Sequence, residues 1–286
     1  MRVAAAFADL DGTWLATDKS LPAGNVRALD RLQAAGGTFV PCTGRNASML
    51  PTEVIAHPSC RLAIAANGAA AYEVLHDGDE TRLGQRLFSV PMGTERALAL
   101  YGRLRDLDVT FDLFVGEEVY VERWRFAKIF GFGIEPHMLA YLQAGRTQLD
   151  LTVPQILEEV CVDGGEPLMR ITMFWDDPAD RDRILEVVRE DPSLVIVSSW
   201  KGGFEISDAR ATKGNALVWA CDYLGVDLRD VVAFGDSGND ASMLSVAGMG
   251  VAMGNGTDEA RAAADCVCGT NDEGGAGLFL EGLLAG

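Results

Sequence analysis

The sequence predicts an α/β protein with a doubly wound parallel sheet built from two separate stretches of the chain. Short apolar segments alternate with amphipathic segments over residues 3–66 and again over residues 204–268. Such alternation of strands and helices is typical of a parallel sheet with helices on both faces. Between the two stretches the alternation is lost, which favours an inserted α+β region with an antiparallel sheet. We therefore expect one discontinuous core domain, residues 1–86 and 203–286, and an inserted domain, residues 87–202.

The first core stretch begins with an apolar segment, residues 3–8, that leads into Asp9 and Asp11. A short apolar run bounded by polar residues is typical of a strand buried on both faces. The pattern that follows predicts a helix over 25–35, a strand over 38–42, a helix over 47–56, a strand over 62–66 and a hairpin over 69–90. The three core strands all end in small polar residues, so we expect a polar rim at the carboxyl edge of the sheet.

The inserted region mixes helices and strands, whereas the second core stretch returns to strict alternation. In the inserted region the sequence predicts helices over 94–105, 138–143 and 178–190 and strands over 113–122, 168–175 and 195–199. In the second stretch it predicts strands over 204–206, 231–234, 249–253 and 266–268 and helices over 213–224, 241–247, 258–264 and 278–284. Gly225 is expected to end the helix predicted over 213–224.

The composition argues against several classes of function. The chain has 42 acidic and 24 basic residues and a formal net charge of −18, whereas a nucleic-acid partner would require a basic face. No apolar run reaches the length of a membrane span, and no leader pattern precedes the first strand. The six cysteines are scattered in apolar surroundings, which favours reduced thiols. We therefore expect a cytoplasmic protein, monomeric or homodimeric, that acts on a small molecule without a membrane or nucleic-acid partner.

Four groups of polar residues fall at predicted strand ends or helix starts of the core. They are Asp9 with Asp11, Thr43 with Gly44, Lys213, and Asp236 with Asn239 and Asp240. Ligands of an open α/β sheet bind just beyond the carboxyl ends of its strands, and residues two apart on a strand point to the same face. Two carboxylates so close repel each other unless a cation lies between them. Oxygen ligands alone favour Mg²⁺ over zinc.

One chemical scheme uses all four groups, namely hydrolysis of a phosphate ester through an aspartyl phosphate. Asp9 is the predicted nucleophile. Asp11 is the predicted acid that protonates the leaving oxygen, and then the base that activates water. Mg²⁺ is expected to bind the Asp9 carboxylate, the backbone carbonyl of Asp11, and Asp236.

The remaining polar residues are expected to hold the phosphoryl group. Lys213 supplies a positive charge, and Thr43 donates its hydroxyl together with backbone N–H groups at Gly44. Asn239 is expected to orient the substrate or Lys213. Asp240 is expected to hold Lys213 or a metal-bound water from behind.

Each group also has a purely structural interpretation. Thr43 could cap the following helix, and Asp11 could lie in an ordinary turn. The glycine-rich loop 235–240 could be a tight turn with an aspartate cap. Lys213 is harder to explain in this way, because the dipole disfavours a cation at a helix start. Arg45 could be a phosphate ligand or a solvated surface arginine, and we favour the second interpretation.

A series of short motifs runs through both core stretches. It comprises Asp9-Leu10-Asp11-Gly12-Thr13, Thr43-Gly44-Arg45, Asn67-Gly68-Ala69, Lys213-Gly214, Gly235-Asp236-Ser237-Gly238-Asn239-Asp240, residues 247–255 and residues 271–275. In this order the motifs resemble the haloacid dehalogenase superfamily of phosphohydrolases, specifically its Cof-like branch. The resemblance implies a Rossmann-like core with a large α/β cap inserted between Gly68 and Lys213. It also implies Mg²⁺-dependent phosphomonoester hydrolysis, with Asp9 as nucleophile and Asp11 as acid and base.

The leading hypothesis is a Mg²⁺-dependent phosphatase for small phosphorylated metabolites, such as sugar phosphates. A phosphomutase resembles the same branch and stays open as an alternative, because the inserted region does not reveal whether it retains an intermediate for a second transfer. A phospho-acceptor signalling or binding protein also gathers acidic residues, a hydroxyl and a lysine at strand ends. Such modules are much shorter than this chain and need no insertion, so its length argues against them.

Overall fold

The chain folds into two units, one of which is inserted into the sequence of the other. A computed structural model describes residues 2–78, 80–161, 165–200 and 202–286. The first unit comprises Met1–Ser89 and Ala211–Gly286, and the second comprises Val90–Arg210. The first contains a parallel sheet and the second a mainly antiparallel one. The predicted fold class, a parallel α/β core with an inserted α+β region, is therefore confirmed.

The elements follow one another in chain order through both units. The first unit begins with β1 (Ala5–Ala8), α1 (Ala23–Ala34), β2 (Thr38–Pro41), α2 (Thr52–Ile55), β3 (Leu62–Ala65), β4 (Ala70–Asp77) and β5 (Glu80–Ser89). The second unit contains α3 (Thr94–Leu104), β6 (Asp112–Val115), β7 (Glu118–Glu122), α4 (Arg123–Phe126), α5 (Pro136–Ala144), β8 (Thr147–Leu149), α6 (Val153–Cys161), β9 (Leu168–Phe174), α7 (Pro178–Arg189), β10 (Leu194–Trp200) and β11 (Gly203–Asp208). The first unit resumes with α8 (Lys213–Leu224), β12 (Val231–Gly235), α9 (Ala241–Val246), β13 (Met249–Ala252), α10 (Asp258–Ala263), β14 (Cys266–Val267) and α11 (Gly275–Ala285).

The order of the parallel sheet positions the predicted site. The strands run β14-β13-β12-β1-β2, and every neighbouring pair is parallel. The first stretch builds outward from β1 and the second builds outward from β12 in the opposite direction. The order therefore reverses between β1 and β12, which is where open α/β sheets bind ligands. Asp9 follows β1 and Asp236 follows β12, so one aspartate leaves the sheet on each side of this reversal.

The central strand β1 is buried on both faces because its residues pack alternately. Ala6 and Ala8 lie in one hydrophobic cluster with Leu29 of α1. Phe7 lies in another cluster with Leu217 of α8. Burying a phenylalanine such as Phe7 contributes roughly 1.5–3 kcal/mol to folding. The continuous apolar run of β1 is thus what a strand covered by helices on both sides requires.

Strand β3 belongs to a second, smaller sheet of the first unit. It pairs antiparallel with β4 in a three-stranded sheet of order β3-β4-β5. Isolated parallel bridges join its neighbourhood to the β2 side of the main sheet, at Phe39–Cys60 and Cys42–Ile64. Strand β3 therefore lies beside the parallel sheet and touches it through single bridges. Its continuous strand pairing is made with β4, the first strand of the hairpin that follows.

The second unit is built on a six-stranded sheet of order β10-β11-β9-β6-β7-β8. Its neighbouring strands pair antiparallel, except for β7 and β8. One hydrophobic cluster joins the sheet to its helices and includes Leu100 of α3, Ile156 of α6 and Ile184 of α7. Strands and helices that do not alternate commonly form a mainly antiparallel sheet with helices packed against it.

Strand β11 corrects the predicted start of the second core stretch. The strand predicted over 204–206 was assigned to the core, but it pairs with β9 and β10 in the inserted unit. The chain returns to the first unit at Ala211, so the inserted unit covers Val90–Arg210 where 87–202 was predicted. A short apolar strand looks the same from sequence whichever sheet it joins, because strand pairing is decided by distant partners.

Two local predictions were also wrong in detail, and some elements were missed. The helix over 47–56 is interrupted at Pro51 and leaves a 3₁₀ turn at Ala47–Met49 followed by the short α2, because proline disfavours a helical residue before it. The strand over 113–122 is a hairpin, β6 and β7, that turns at Gly116. Helix α6 and strand β8 were not predicted.

Two expectations from composition can be compared with the structure. All six cysteines are free, and Cys42, Cys60 and Cys221 are buried. Within the parts of the chain that the structure describes, no helix combines the length and the apolar character needed to cross a bilayer.

Two glycines of the first unit adopt left-handed backbone conformations for different reasons. Gly225 ends α8 with φ 67°, and an added Cβ would meet no atom within 4 Å. Gly68 has φ 91°, and an added Cβ would lie 2.2 Å from the carbonyl oxygen of Thr212. The segment after β3 therefore packs backbone to backbone on the residue that precedes α8, which only glycine allows.

We expect Gly68→Ala to lower the free energy of unfolding by roughly 2–5 kcal/mol, because backbone strain and a steric clash add. Gly225→Ala is the matched control and should cost about 1–2 kcal/mol, since it adds strain alone. Urea unfolding followed by circular dichroism measures both. Equal losses in the two variants would contradict the close contact between Gly68 and Thr212.

Candidate active site

The candidate site begins where β1 ends, at Asp9. The backbone N–H of Asp9 donates to the carbonyl of Phe234 in β12 at 3.0 Å, which continues the strand pairing by one residue. The residue is 5% exposed, and its side chain accepts a hydrogen bond at Oδ1 from Nζ of Lys213 at 2.7 Å. The same ammonium donates to Oδ1 of Asp240 at 2.6 Å. Lys213 is fully buried, so the three side chains form one ion cluster without solvent between them.

Lys213 is delivered to this cluster by the start of α8. Thr212 caps the helix, since its hydroxyl oxygen accepts from the backbone N–H of Asn215 at 3.1 Å. Lys213 is the first helical residue, a position where the dipole disfavours a cation. Burial alone would lower its pKa, but the carboxylates of Asp240 and Asp9 raise it above the ordinary value. The lysine is therefore held charged by the two aspartates.

The loop after β12 is folded around Asp240. Oδ2 of Asp240 accepts from the backbone N–H groups of Asp236 at 2.9 Å and Ser237 at 3.0 Å, while its Oδ1 accepts from Lys213. Asp236 in turn accepts from the Thr13 hydroxyl at Oδ1 at 2.9 Å. Asp240 thus uses both carboxylate oxygens to hold its neighbours in place.

The acidic groups outnumber the positive charge that faces them. Burial raises the pKa of Asp9 above its ordinary value, more than Lys213 lowers it. Burial and the nearby Asp240 raise the pKa of Asp236 to about 6. One oxygen from each of Asp9, Asp236 and Asp240 lies within 4.8 Å of the others. An all-carboxylate set with excess negative charge fits a divalent cation such as Mg²⁺. Because both oxygens of Asp240 are already engaged, Asp9 and Asp236 are the side chains best placed to hold it.

Asn67 connects the remaining predicted residues to one another. Its Oδ1 accepts from Nδ2 of Asn239 at 3.0 Å, and the other end of Asn239 accepts from the Ser237 hydroxyl at 2.6 Å. The backbone N–H of Asn67 donates to the carbonyl of Thr43 at 3.0 Å. Gly44 packs so closely that an added Cβ would lie 2.9 Å from Oδ1 of Asn67. Asn67 was not among the predicted site residues, although Asn67-Gly68 at the end of a strand was a usable signal.

Asp11 lies in a different environment from Asp9. Arg45 donates to it twice, from Nε to Oδ2 and from Nη2 to Oδ1, both at 2.7 Å. Lys19 donates from Nζ to Oδ1 at 2.7 Å. Partial burial opposes ionisation, but Arg45 and Lys19 outweigh it and lower the pKa of Asp11 to about 2.

The bonds of Arg45 correct its interpretation as a solvated surface residue. Its side chain is 21% exposed and is tied to Asp11 by two hydrogen bonds. Lys19 was missed altogether. A long basic side chain reveals its partner only when the tertiary fold is known, because it can reach several turns or strands away.

The loop that carries Asp11 is anchored by polar side chains from the second stretch. Asn255 donates from Nδ2 to the carbonyl of Gly12 at 2.8 Å, and Asn271 donates to the carbonyl of Leu15 at 3.0 Å. Trp14, which lies on this loop, is fully buried with its ring 4.7 Å from that of Phe39. Trp14 is therefore a core residue of this loop.

Comparison with known proteins identifies the family. The profile of the haloacid dehalogenase-like hydrolases matches residues 6–280. The chain belongs to this family. The sequence resemblance and the prediction of an enzyme are thereby confirmed, and the matched range spans both units of the hydrolase.

Individual relatives cover nearly the whole length of this hydrolase. The 5-amino-6-(5-phospho-D-ribitylamino)uracil phosphatase of Bacillus subtilis is 30% identical over 97% of both chains. The pyridoxal phosphate phosphatase of Escherichia coli is 26% identical over 96% of this chain and 97% of its own. The structure of a haloacid dehalogenase-like hydrolase from B. subtilis superposes with a TM-score of 0.77 at 27% identity, over 98% of this chain and 100% of that chain.

The geometry sorts the predicted site residues of the hydrolase into three groups. Asp9, Lys213 and Asp240 share direct ion pairs, and Asp236 is joined to Asp240 through its backbone. Thr43, Gly44 and Asn239 meet around Asn67. Asp11 pairs with Arg45 and Lys19. The catalytic, phosphate-binding and metal-binding roles assigned to these residues stay predictions.

We expect Lys213→Met to lower the free energy of unfolding by about 3–5 kcal/mol, because it leaves Asp9 and Asp240 buried without a counter-charge. Urea denaturation at neutral pH measures the loss. The matched control is Arg229→Met, which breaks an ion pair with Asp227 in which the arginine side chain is 88% exposed. That change should be much smaller. A Lys213→Met protein as stable as the control would show that the buried cluster does not need its cation.

Proposed function

We propose that this hydrolase is a Mg²⁺-dependent phosphatase that acts on small phosphorylated metabolites through an aspartyl-phosphate intermediate. The observation that carries the proposal is the buried cluster of Asp9, Lys213, Asp236 and Asp240 at the reversal of the strand order. The two relatives described above are phosphatases of small phosphate monoesters by name. Their specificities differ, so they support the reaction and a metabolite-sized substrate.

In the first half of the proposed reaction, a carboxylate oxygen of Asp9 attacks phosphorus while the bond from phosphorus to the leaving oxygen breaks. Asp11 gives its proton to that oxygen, so the product leaves as an alcohol. Lys213 lies 2.7 Å from Oδ1 of Asp9 and stabilises the charge that builds up beside it. Thr43, the amide at Gly44 and Asn239 bind the phosphoryl oxygens from the other side of the site.

In the second half, water attacks phosphorus of the aspartyl phosphate and Asp11 accepts the proton of that water. The bond between phosphorus and Asp9 breaks, which releases inorganic phosphate and restores the carboxylate. The pKa of Asp11 near 2 keeps it ionised, which is the form this half requires. The first half needs a proton on Asp11, so one of the hydrogen bonds from Arg45 must be exchanged for that proton when substrate is bound.

The residues that would hold Mg²⁺ are Asp9, Asp236 and the backbone carbonyl of Asp11, with Asp240 fixing the loop behind them. When bound, Mg²⁺ would keep Asp9 ionised and offset the charge of the phosphoryl oxygens. The pKa values of Asp9 and Asp236, both raised by burial, support a cation at this position, because a positive charge relieves that unfavourable burial.

We expect Asp9→Asn to abolish hydrolysis across a panel of phosphate esters, because the amide cannot accept a phosphoryl group. Release of inorganic phosphate with Mg²⁺, and again with excess chelator, measures the activity. Asp222→Asn on the exposed side of α8 is the matched control and should retain activity. Full turnover by Asp9→Asn, or wild-type turnover that survives chelation, would overturn the proposal. Product formation that requires a bisphosphate activator would instead favour a phosphomutase.

A separate expectation concerns Asp11. Asp11→Asn should lower turnover by roughly 10² or more, since proton transfer by a positioned group contributes about that much. It should leave Mg²⁺ binding largely intact, because the metal is expected to use the backbone carbonyl of this residue. Calorimetric titration with Mg²⁺ beside the phosphate assay separates the two effects. Loss of Mg²⁺ binding in this variant would contradict the role.

A further inference from the structure

The two-bond contact between Arg45 and Asp11 is the feature of the site that the proposed reaction does not explain. Asp11 lies on the loop after β1, and its side chain is 38% exposed. Arg45 contacts both carboxylate oxygens at 2.7 Å. A guanidinium that donates two parallel hydrogen bonds fixes the plane of a carboxylate as well as its distance.

Arg45 is itself held in place by the segment that contains Thr43. Its backbone N–H donates to the Thr43 hydroxyl oxygen at 3.2 Å, and its carbonyl accepts from the N–H of Ala66 at 2.8 Å. Its third guanidinium nitrogen, Nη1, donates to the carbonyl of Met49 at 3.3 Å. All three nitrogens are therefore engaged, and the side chain is anchored at both ends.

The strongest of these contacts tie Arg45 to Asp11, since Nε–H and one N–H of Nη2 donate to the two carboxylate oxygens at 2.7 Å, whereas Nη1 donates to Met49 at 3.3 Å. We infer that Arg45 is a positioning residue that sets the orientation of the Asp11 carboxylate for proton transfer. The inference rests on the function proposed above, because it assigns Arg45 a task only if Asp11 is the acid and base.

The two oxygens of Asp11 are held unequally. Oδ1 accepts from both Arg45 and Lys19, whereas Oδ2 accepts from Nε of Arg45. Oδ2 can therefore exchange its single bond for a proton while Oδ1 stays anchored by two donors. Proton transfer depends steeply on geometry, so an Asp11 that is free to rotate would be a much poorer catalyst even with its charge unchanged.

Three variants separate the geometry of the contact from its charge. Arg45→Gln removes both, and Arg45→Lys keeps the charge but cannot donate two parallel bonds. Lys19→Gln is the comparison variant, because it removes a positive charge and one donor from the same carboxylate but leaves the two-bond Arg45 contact in place. We expect kcat to fall about 10–100-fold in Arg45→Gln and at least about 10-fold in Arg45→Lys, with KM within about threefold. Lys19→Gln should lower kcat by less than Arg45→Gln does, since one donor to Oδ1 remains, and Arg229→Gln, whose 88% exposed side chain pairs with Asp227, should leave kcat unchanged.

A double-mutant cycle with Asp11→Asn tests whether Arg45 acts through Asp11. If it does, Arg45→Gln should lower kcat by less than about threefold when Asp11 is already asparagine. A fall as large as in the wild-type background would overturn the inference, because Arg45 would then act on substrate or on the fold directly. Wild-type kcat in Arg45→Lys, or equal losses in Arg45→Gln and Lys19→Gln, would also overturn it. Thermal unfolding of each variant checks that the fold is retained, and Arg45→Lys serves if Arg45→Gln does not fold.

The outcomes distinguish this inference from the function on which it rests. A wild-type protein without phosphatase activity on any phosphate ester would overturn both. An active wild type in which the effects of Arg45→Gln and Asp11→Asn multiply would overturn the positioning role alone. An active wild type in which they do not multiply supports both.

Discussion

The buried ion cluster around Lys213 is the constraint on which the rest of the candidate site depends. Its ammonium bonds to Asp9, 204 residues earlier in the chain, and to Asp240, 27 residues later. Asp240 then fixes the backbone of Asp236. Buried charges are tolerated only when they are paired, so the three segments must meet in one arrangement to bury any of them. The cluster therefore stabilises the site and specifies its geometry at the same time.

The topology of the sheet explains why such a cluster can exist at all. At the reversal of the strand order, the connections that follow β1 and β12 run in opposite directions. This leaves a crevice between the loops after these two strands. Asp9 and Asp236 enter that crevice from β1 and β12. Asn67, from the end of β3, closes it on a third side by contacting Thr43 and Asn239. The reactive groups thus lie on loops, and the strands before these loops determine where each group lies.

The sequence predicted the parts of this arrangement that local patterns encode. The apolar run before Asp9 and the glycine-rich loop after β12 mark strand ends, so Asp9 and Asp236 could be assigned to one edge of the sheet in advance. The position of β11 could not be predicted, because its partners β9 and β10 are set by tertiary pairing. Arg45 was misread for a related reason: its side chain reaches a carboxylate 34 residues away, and no local pattern records that distance.

The split origin of the parallel sheet has a consequence for how the protein is made. β1 and β2 are synthesised early, yet their neighbour β12 follows the whole inserted unit. Helix α11 also packs on α1, where the backbone N–H of Gly277 donates to Asn25, 252 residues earlier. A nascent chain on the ribosome therefore leaves the N–H and C=O groups on one edge of β1 unpaired until more than two hundred further residues have emerged, whereas the strands of the inserted unit follow one another without such an interruption. Delayed closure of this kind leaves an unpaired strand open to wrong partners, which gives chaperones a defined segment to protect.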